Sequence, residues 1–273
     1  MKKIIITSSI AALSATLALA QAHEPASSKA YIRAGVGYAF PHAGNSYLKT
    51  QSGSFLSASN VYEKYSLGAG AHINVAGGFW LFKNIGLELG VHAGIAPKKF
   101  VSKYSNPNET AEAKLYARMP VYLIPSLVLQ TGGEKANVYT RLGVVVNVTG
   151  KLTEEYASNS LKWEKEYRMR TGIGFQGALG VSLPMGKSVC FFAEVNGISM
   201  SQYLKKTELV MVRDNGIDVL PNLDMADKVT EYSDQVSITY TTANPDPDKP
   251  TQAGTYSLPF SNVGFSAGVM IKL

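Results

Sequence analysis

The C-terminal segment from Ser261 to Leu273 constrains the fold of this chain more than any other part of the sequence. Its apolar residues recur at every second position and alternate with small or polar residues. A period of two places successive side chains on opposite faces of an extended strand. The segment therefore predicts a β-strand with one apolar and one mostly polar face. The apolar face holds Val263, Phe265, Ala267, Val269, Ile271 and Leu273.

The same alternation recurs in about eight segments, which are joined alternately by short turns and long polar connections. An even number of such strands, with short turns at one end and long loops at the other, is typical of barrels in an outer membrane. The sequence thus predicts an all-β fold, an eight-stranded antiparallel up-and-down transmembrane β-barrel with long extracellular loops. The strands before the C-terminal one are Ala30–Phe40, Tyr65–Ala76, Ile85–Ile95, Ala117–Gln130, Ala136–Thr149, Gly172–Leu183 and Val189–Met200.

The connections between these strands follow the same rule. Short turns are expected at 79–84, 131–135 and 184–188, and long loops at 41–64, 97–114, 151–170 and 202–257. Within the last loop, Asp214-Asn215-Gly216 predicts a hairpin turn, and Gln235–Thr242 a further strand. Pro120 and Pro125 predict bulges in the fourth strand, because proline cannot donate to the ladder. Phe79, Trp80 and Phe82 are expected at the membrane interface on the turn side.

A soluble barrel of the lipocalin kind is the main alternative for the fold, and in it the apolar face would point inward. Glycine on the polar face argues against that alternative. Gly68, Gly70, Gly86, Gly90 and Gly94 lie on the polar faces of the second and third strands. A solvated face has no need of them, whereas a narrow polar lumen must leave room for arginine and glutamate.

The N-terminus has the composition of an export signal. Lys2 and Lys3 precede an apolar stretch from Ile4 to Leu19, and small residues at 18, 20 and 22 offer cleavage sites before Gln21 or His23. We therefore expect residues 1–22 to form a cleaved signal peptide and residues 23–273 to form an outer-membrane β-barrel. The single Cys190 excludes an intramolecular disulfide.

Charge gives no sign of a nucleic-acid partner. The formal net charge is +6, and Lys2 and Lys3 belong to the signal. The remaining basic residues are scattered over turns, strands and loops instead of forming one basic surface.

Several inward positions carry charged or polar side chains, which a narrow barrel must bury. An eight-stranded barrel has an interior just wide enough for side chains to fill, and buried charges persist only when they are paired. We therefore predict a polar network in the lumen. An ion path through the lumen is the alternative. The predicted network consists of Arg33, His72, Glu88, His92, Arg118, Arg141 and Glu194.

Catalytic residues are not evident in the sequence. Of four histidines, His23 lies beside the cleavage site, His42 begins the first loop, and His72 and His92 face the lumen. None falls beside a serine on a lipid-facing strand end, as a lipid-cleaving barrel would require. Across the turn at 79–84, His72 and Glu88 are expected to be approximate cross-strand neighbours. Together with His92 they are weak evidence for a metal site. We therefore expect no enzymatic activity, no cofactor and no metal.

Several stretches resemble those of small eight-stranded outer-membrane barrels of the OmpA-like, OmpX-like or "porin family" type. The resemblance covers residues 28 to 273 and implies a fold, not an activity. It also implies that Gly268, Ile271 and Leu273 form a C-terminal assembly signal read by the barrel-assembly machinery, although Ile271 and Leu273 stand where aromatic residues are usual. The stretches are NIGLELGV from Asn84, TGIGFQGALG from Thr171, FAEV from Phe192 and LPFSNVGF from Leu258.

The function expected from these features is a structural or surface-interaction role in the bacterial outer membrane. The expected partners are outer-membrane lipid and lipopolysaccharide, together with an unknown extracellular ligand bound by the loops. Two alternatives remain, a low-conductance pore for small solutes and a lipid-modifying enzyme. Conductance in a planar bilayer would distinguish a pore from a filled barrel. Hydrolysis of lipid substrates by the purified protein would distinguish an enzyme from both.

Overall fold

Alternating strands dominate the computed structural model of the chain, which describes residues 30–42, 46–54, 57–105, 109–133, 135–234 and 246–273. The predicted signal peptide and the predicted strand Gln235–Thr242 lie outside these residues. The described residues form one sheet of 17 strands. The strands are β1 Ala30–Pro41, β2 Ser46–Ser54, β3 Ser57–Lys64, β4 Gly70–Trp80, β5 Ile85–Pro97, β6 Phe100–Ser105, β7 Thr110–Gln130, β8 Asn137–Ala157, β9 Leu161–Met169, β10 Ile173–Pro184, β11 Val189–Ser199, β12 Ser201–Asp214, β13 Ile217–Asp218, β14 Val229–Ser233, β15 Thr251–Gly254, β16 Ser257–Pro259 and β17 Asn262–Lys272.

Eight of the described strands close into an antiparallel barrel, which confirms the predicted fold class. In order around the barrel they are β1, β4, β5, β7, β8, β10, β11 and β17. The C-terminal strand β17 closes it by pairing with β1, where Gly35 lies opposite Gly268. Both ends of the described barrel meet at the turn side, since the Leu273 amide donates to the Ala30 carbonyl over 2.9 Å.

The barrel strands keep the predicted alternation of faces over most of their length. In β10, residues alternate without exception between exposed and buried from Ile173 to Leu183. The exposed residues are the apolar ones, so the barrel turns its apolar face outward. The outward set includes Ile32, Val36, Val75, Leu87, Leu89, Leu142, Phe175, Leu179, Val181, Val195 and Phe265.

The second predicted strand was placed too early in the chain. The observed strand β4 begins at Gly70 and continues to Trp80, so the turn shrinks to residues 81–84. This changes the register, and His72 lies opposite Gly94, not close to Glu88, whose partner is Gly78. Leu67, which falls within the predicted strand and on its apolar face, lies before the observed strand and is 1% exposed.

A bulge divides β7 into two parts with opposite alternation. The register with β8 shifts between Arg118 and Val121, and Met119 has a φ of 42°. Below the bulge even-numbered residues such as Tyr122 face inward, but above it odd-numbered residues such as Ala117 are buried. The bulge lies at Pro120, as predicted, because its nitrogen cannot donate to the ladder. The bulge predicted at Pro125 was wrong, since the pairing of β7 with β5 and β8 continues past this residue without a shift. Simple alternation therefore fails for residues before Pro120.

The long connections predicted as loops contain strands that extend the sheet beyond the barrel. β2 and β3 form a hairpin, and the parts of β7 and β8 that extend beyond the barrel pair with β6 and β9. β12 pairs with β9 and β14. The predicted hairpin at Asn215-Gly216 is present, with φ values of 49° and 85° that suit a tight turn. A short helix, α1, spans Met225–Lys228, and no described helix is long and apolar enough to cross a membrane.

Candidate functional site in the barrel interior

Two arginines and two glutamates meet inside the barrel. The Arg33 guanidinium donates to Glu194 over 3.1 Å, and Arg141 binds Glu88 at 2.9 Å and Glu194 at 2.5 Å. Each side chain is at most 6% exposed. The two positive and two negative charges balance, so the group has no net charge, which favours burial. These residues come from β1, β5, β8 and β11, on different sides of the barrel.

Two tyrosines complete the hydrogen bonding of the glutamates. The Tyr31 hydroxyl donates to Glu88 and the Tyr139 hydroxyl donates to Glu194, each over 2.9 Å. Glycine makes room for both rings. A side chain at Gly78 would overlap the Tyr31 ring, and one at Gly180 would overlap the Tyr139 ring. The inward glycines thus allow large polar side chains in a narrow interior.

The predicted histidines lie next to each other in the interior. The rings of His72 and His92 stack with centroids 4.2 Å apart, and His92 also contacts the Tyr122 ring. His72 Nε2 lies 3.0 Å from Ser266 Oγ, to which the Asn196 amide also donates over 2.8 Å. Ser266 and Asn196 were missing from the predicted site, although both occupy inward positions of the alternation.

Arg118 does not join the interior network, so the prediction was wrong for this residue. Its side chain is 52% exposed and binds Glu164 at 3.2 Å and Glu166 at 3.9 Å on the outer surface. The reason is the bulge at Pro120. In β7, the alternation of inward and outward side chains before the bulge is opposite to the alternation after it, so Arg118 faces outward.

Apolar clusters lie on both sides of the charged group. The cluster toward the turns contains Trp80, which packs on Tyr31 with ring centroids 5.2 Å apart. Trp80 is 6% exposed, so its predicted place at the membrane interface on the turn side was wrong, whereas Phe79 and Phe82 are exposed. The larger cluster lies toward the loops and combines inward residues of the barrel with residues of the long connections. It includes Tyr65, Leu67, Phe100, Leu115, Leu152, Ile198, Met200, Leu204, Leu258 and Phe260.

Ion pairs also connect the segments that extend beyond the barrel. Lys98 Nζ donates to Glu63 over 2.7 Å, and this hydrogen bond lowers the pKa of the Glu63 carboxyl. It links the end of β3 to the connection between β5 and β6. A basic residue of the second long connection is therefore paired with an acidic residue of the first.

Residues of the predicted assembly signal lie at the seam of the barrel. Ile271 and Leu273 are 46% and 67% exposed on the outer surface. A Cβ at Gly268 would overlap the backbone of β1 at Ala34 and Gly35. A role in assembly stays a prediction for these three residues.

Within the described part of the chain, no group of three or more His, Cys, Asp or Glu side chains is placed to hold a metal ion. No protein-family model matches the sequence, and no curated protein matches it. Among solved structures, the chain is similar to the crystal structure of Neisserial surface protein A, at 12% identity and a TM-score of 0.33. The match covers 89% of this chain and 97% of that chain.

Proposed function

We propose that this protein is an integral barrel of the bacterial outer membrane with a structural or surface-interaction role. The observation that carries the proposal is the outward apolar face of a closed barrel. Exposed residues such as Leu89, Phe175 and Val195 would face water in a soluble protein. In a membrane the same residues face lipid, and closure leaves no strand edge unpaired.

We also propose that the interior is filled and does not conduct ions. The charge-balanced group of Arg33, Glu88, Arg141 and Glu194 supports this, together with apolar clusters toward both ends. A cavity of about 10 Å³ lies among Arg33, Arg141 and Glu194. This space is barely enough to hold one water molecule. A path for hydrated ions would require moving charged side chains out of their pairs.

Conductance in planar bilayers tests this closed interior. Purified protein inserted into a bilayer is expected to show no steady current, because ions would have to cross both apolar clusters and the charged group. A stable open channel in the unmodified protein would contradict the filled interior and favour the pore.

A surface role for the extended strands is the second part of the proposal. The chain between Ser201 and Ser257 is too long and too polar for a turn on the periplasmic side. A tag inserted at Asp246 is therefore expected to bind antibody on intact cells. A matched tag at Gly133, in a turn at the opposite end of the barrel, is expected to bind only after cell lysis. Labelling of Gly133 but not Asp246 would reverse the topology and remove the surface role.

We propose no catalytic activity and no cofactor. His72 and Ser266 are within hydrogen-bond distance, but they are 2% and 1% exposed. Among the described residues no carboxylate is hydrogen-bonded to His72, as a catalytic triad would require, and the serine hydroxyl also accepts from the Asn196 amide. A lipid substrate on the outer surface would not reach it. The remaining proposed partners are outer-membrane lipid, lipopolysaccharide, the barrel-assembly machinery and an extracellular ligand of unknown identity.

A further inference from the structure

Four basic residues lie side by side across four neighbouring strands. Arg118 of β7 is opposite Lys151 of β8, which is opposite Arg168 of β9, which in turn is opposite Lys206 of β12. Residues directly opposite each other in antiparallel strands project from the same face. With strands about 4.8 Å apart, the basic row of Arg118, Lys151, Arg168 and Lys206 spans about 14 Å.

The basic row lies where the exposed apolar surface ends. Met119, next to Arg118, is 60% exposed, and Val148, shortly before Lys151, is 59% exposed. Tyr203, shortly before Lys206, is also exposed. Apolar surface thus lies directly on the barrel side of the row.

Carboxylates lie on the opposite side of the row, toward the loop tips. Glu166 binds Lys151 at 2.9 Å and Arg118 at 3.9 Å, so one carboxylate is shared by two cations. Glu208 is likewise shared by Lys206 at 3.3 Å and Arg168 at 3.9 Å. Glu164 also binds Arg118, at 3.2 Å, so three carboxylates face four cations. Directly opposed like charges repel each other, and these carboxylates neutralise the row only in part. Because the carboxylates that bind the row lie toward the loop tips, the cations are unshielded on the side that faces the apolar surface.

We propose that the basic row binds the phosphate groups of a phosphorylated lipid in the outer leaflet. This inference rests on the proposed outer-membrane location. Acyl chains would pack on the apolar surface at Met119 and Val148, which brings a phosphate at the head of the lipid to the level of the row. Arg118 and Arg168 can each bind phosphate with two parallel hydrogen bonds, and Lys151 adds a point charge. The side chains of Arg118, Lys151 and Arg168 are more than half exposed and accessible to such a ligand.

The chain offers a matched control for this surface. Lys162 and Arg213 are also directly opposed, on β9 and β12. They lie near the loop tips, about 20 Å from the row, because strands rise about 3.3 Å per residue. The test variant is Arg118→Gln with Lys151→Gln, and the control is Lys162→Gln with Arg213→Gln. Both variants remove two positive charges from directly opposed positions.

Each protein is reconstituted into phosphatidylcholine vesicles that contain a small fraction of bisphosphorylated lipid A. The vesicles are dissolved in detergent, and the lipid retained by the purified protein is quantified. The unmodified protein and the control are expected to retain lipid A in excess over phosphatidylcholine. The Arg118→Gln, Lys151→Gln variant is expected to lose this enrichment by about tenfold or more. Dephosphorylated lipid A should not be enriched by any of the proteins.

Equal enrichment by the test and control variants would overturn the proposal, as would equal enrichment of dephosphorylated lipid A. The variant Arg168→Gln with Lys206→Gln provides the same test if the first variant does not fold, which heat-dependent gel mobility detects. Failure of the unmodified protein to insert even into phosphatidylcholine vesicles would instead contradict the membrane location itself. Insertion without phosphate-dependent enrichment would overturn only the basic row as a lipid site.

Discussion

Replacing Glu194 with alanine is expected to lower the free energy of unfolding by about 3–5 kcal/mol. Glu194 accepts hydrogen bonds from Arg33, Tyr139 and Arg141, and its side chain is 1% exposed. Removing it leaves two arginines to share the single charge of Glu88. The cost arises because a buried cation without a full partner has lost its hydration and gained little in return. Urea unfolding of the protein folded in lipid vesicles measures the change.

A surface variant provides the control for this prediction. Glu112→Ala also removes a carboxylate that binds a cation, Lys114, at 2.8 Å, but this pair is exposed to solvent and contributes about 0–1 kcal/mol. The double variant Arg33→Met, Glu194→Met should recover part of the loss, because Glu88 and Arg141 then remain as a neutral pair. Equal costs for Glu194→Ala and Glu112→Ala would show that the interior pairs do not stabilise the barrel.

Leu89→Arg is expected to destabilise the folded barrel by about 2–4 kcal/mol, the range for a cation facing lipid near the middle of a membrane. Leu89 is 53% exposed in the middle of β5 and lies between Gly77 and Pro125 of the neighbouring strands. Its outward position makes the prediction specific to a membrane, since the same substitution on a soluble surface would change stability little. The measurement is again urea unfolding in lipid vesicles.

The same substitution at the end of the barrel provides a depth control. Leu81 is similarly exposed, at 46%, but lies in the turn after β4. The cost of arginine falls to about 0–1 kcal/mol near the membrane interface, so Leu81→Arg should be close to neutral. If both variants were as stable as the unmodified protein, the outward surface would not be embedded in lipid.

Alternation of residue types predicted most of the barrel because it is a local property of each strand. In β10, for example, every residue from Ile173 to Leu183 faces the side that its position in the alternation predicts. A one-residue slip would bring a whole apolar set to the wrong face, so the pattern also predicts which charges point inward. For this reason Arg33, Glu88, Arg141 and Glu194 could be assigned to one interior before any strand pairing was known.

Predictions failed where the backbone departed from a regular strand. The sequence indicates a bulge near Pro120 but does not say on which side of it the alternation reverses, and Arg118 was therefore placed inside. The early end assigned to β4, at Ala76, put His72 near Glu88, whereas the observed strand continues to Trp80. His72 and Ser266 instead lie on either side of Gly37 of β1, which pairs with both residues. A shift of one residue in the pairing of two strands changes which side chains are in contact. The length of the turn sets this pairing only approximately.

By itself, the sequence determined the strands, their faces and the charges that must be buried, because each strand carries its own apolar and polar side. Only the tertiary structure decided which charges pair, since Arg141 reaches Glu88 and Glu194 on strands that are not its neighbours. It also decided that residues of the long connections, such as Phe260 and Leu204, pack with inward residues of the barrel. These contacts depend on how far the strands are staggered when the barrel closes, and that stagger is a property of the whole sheet.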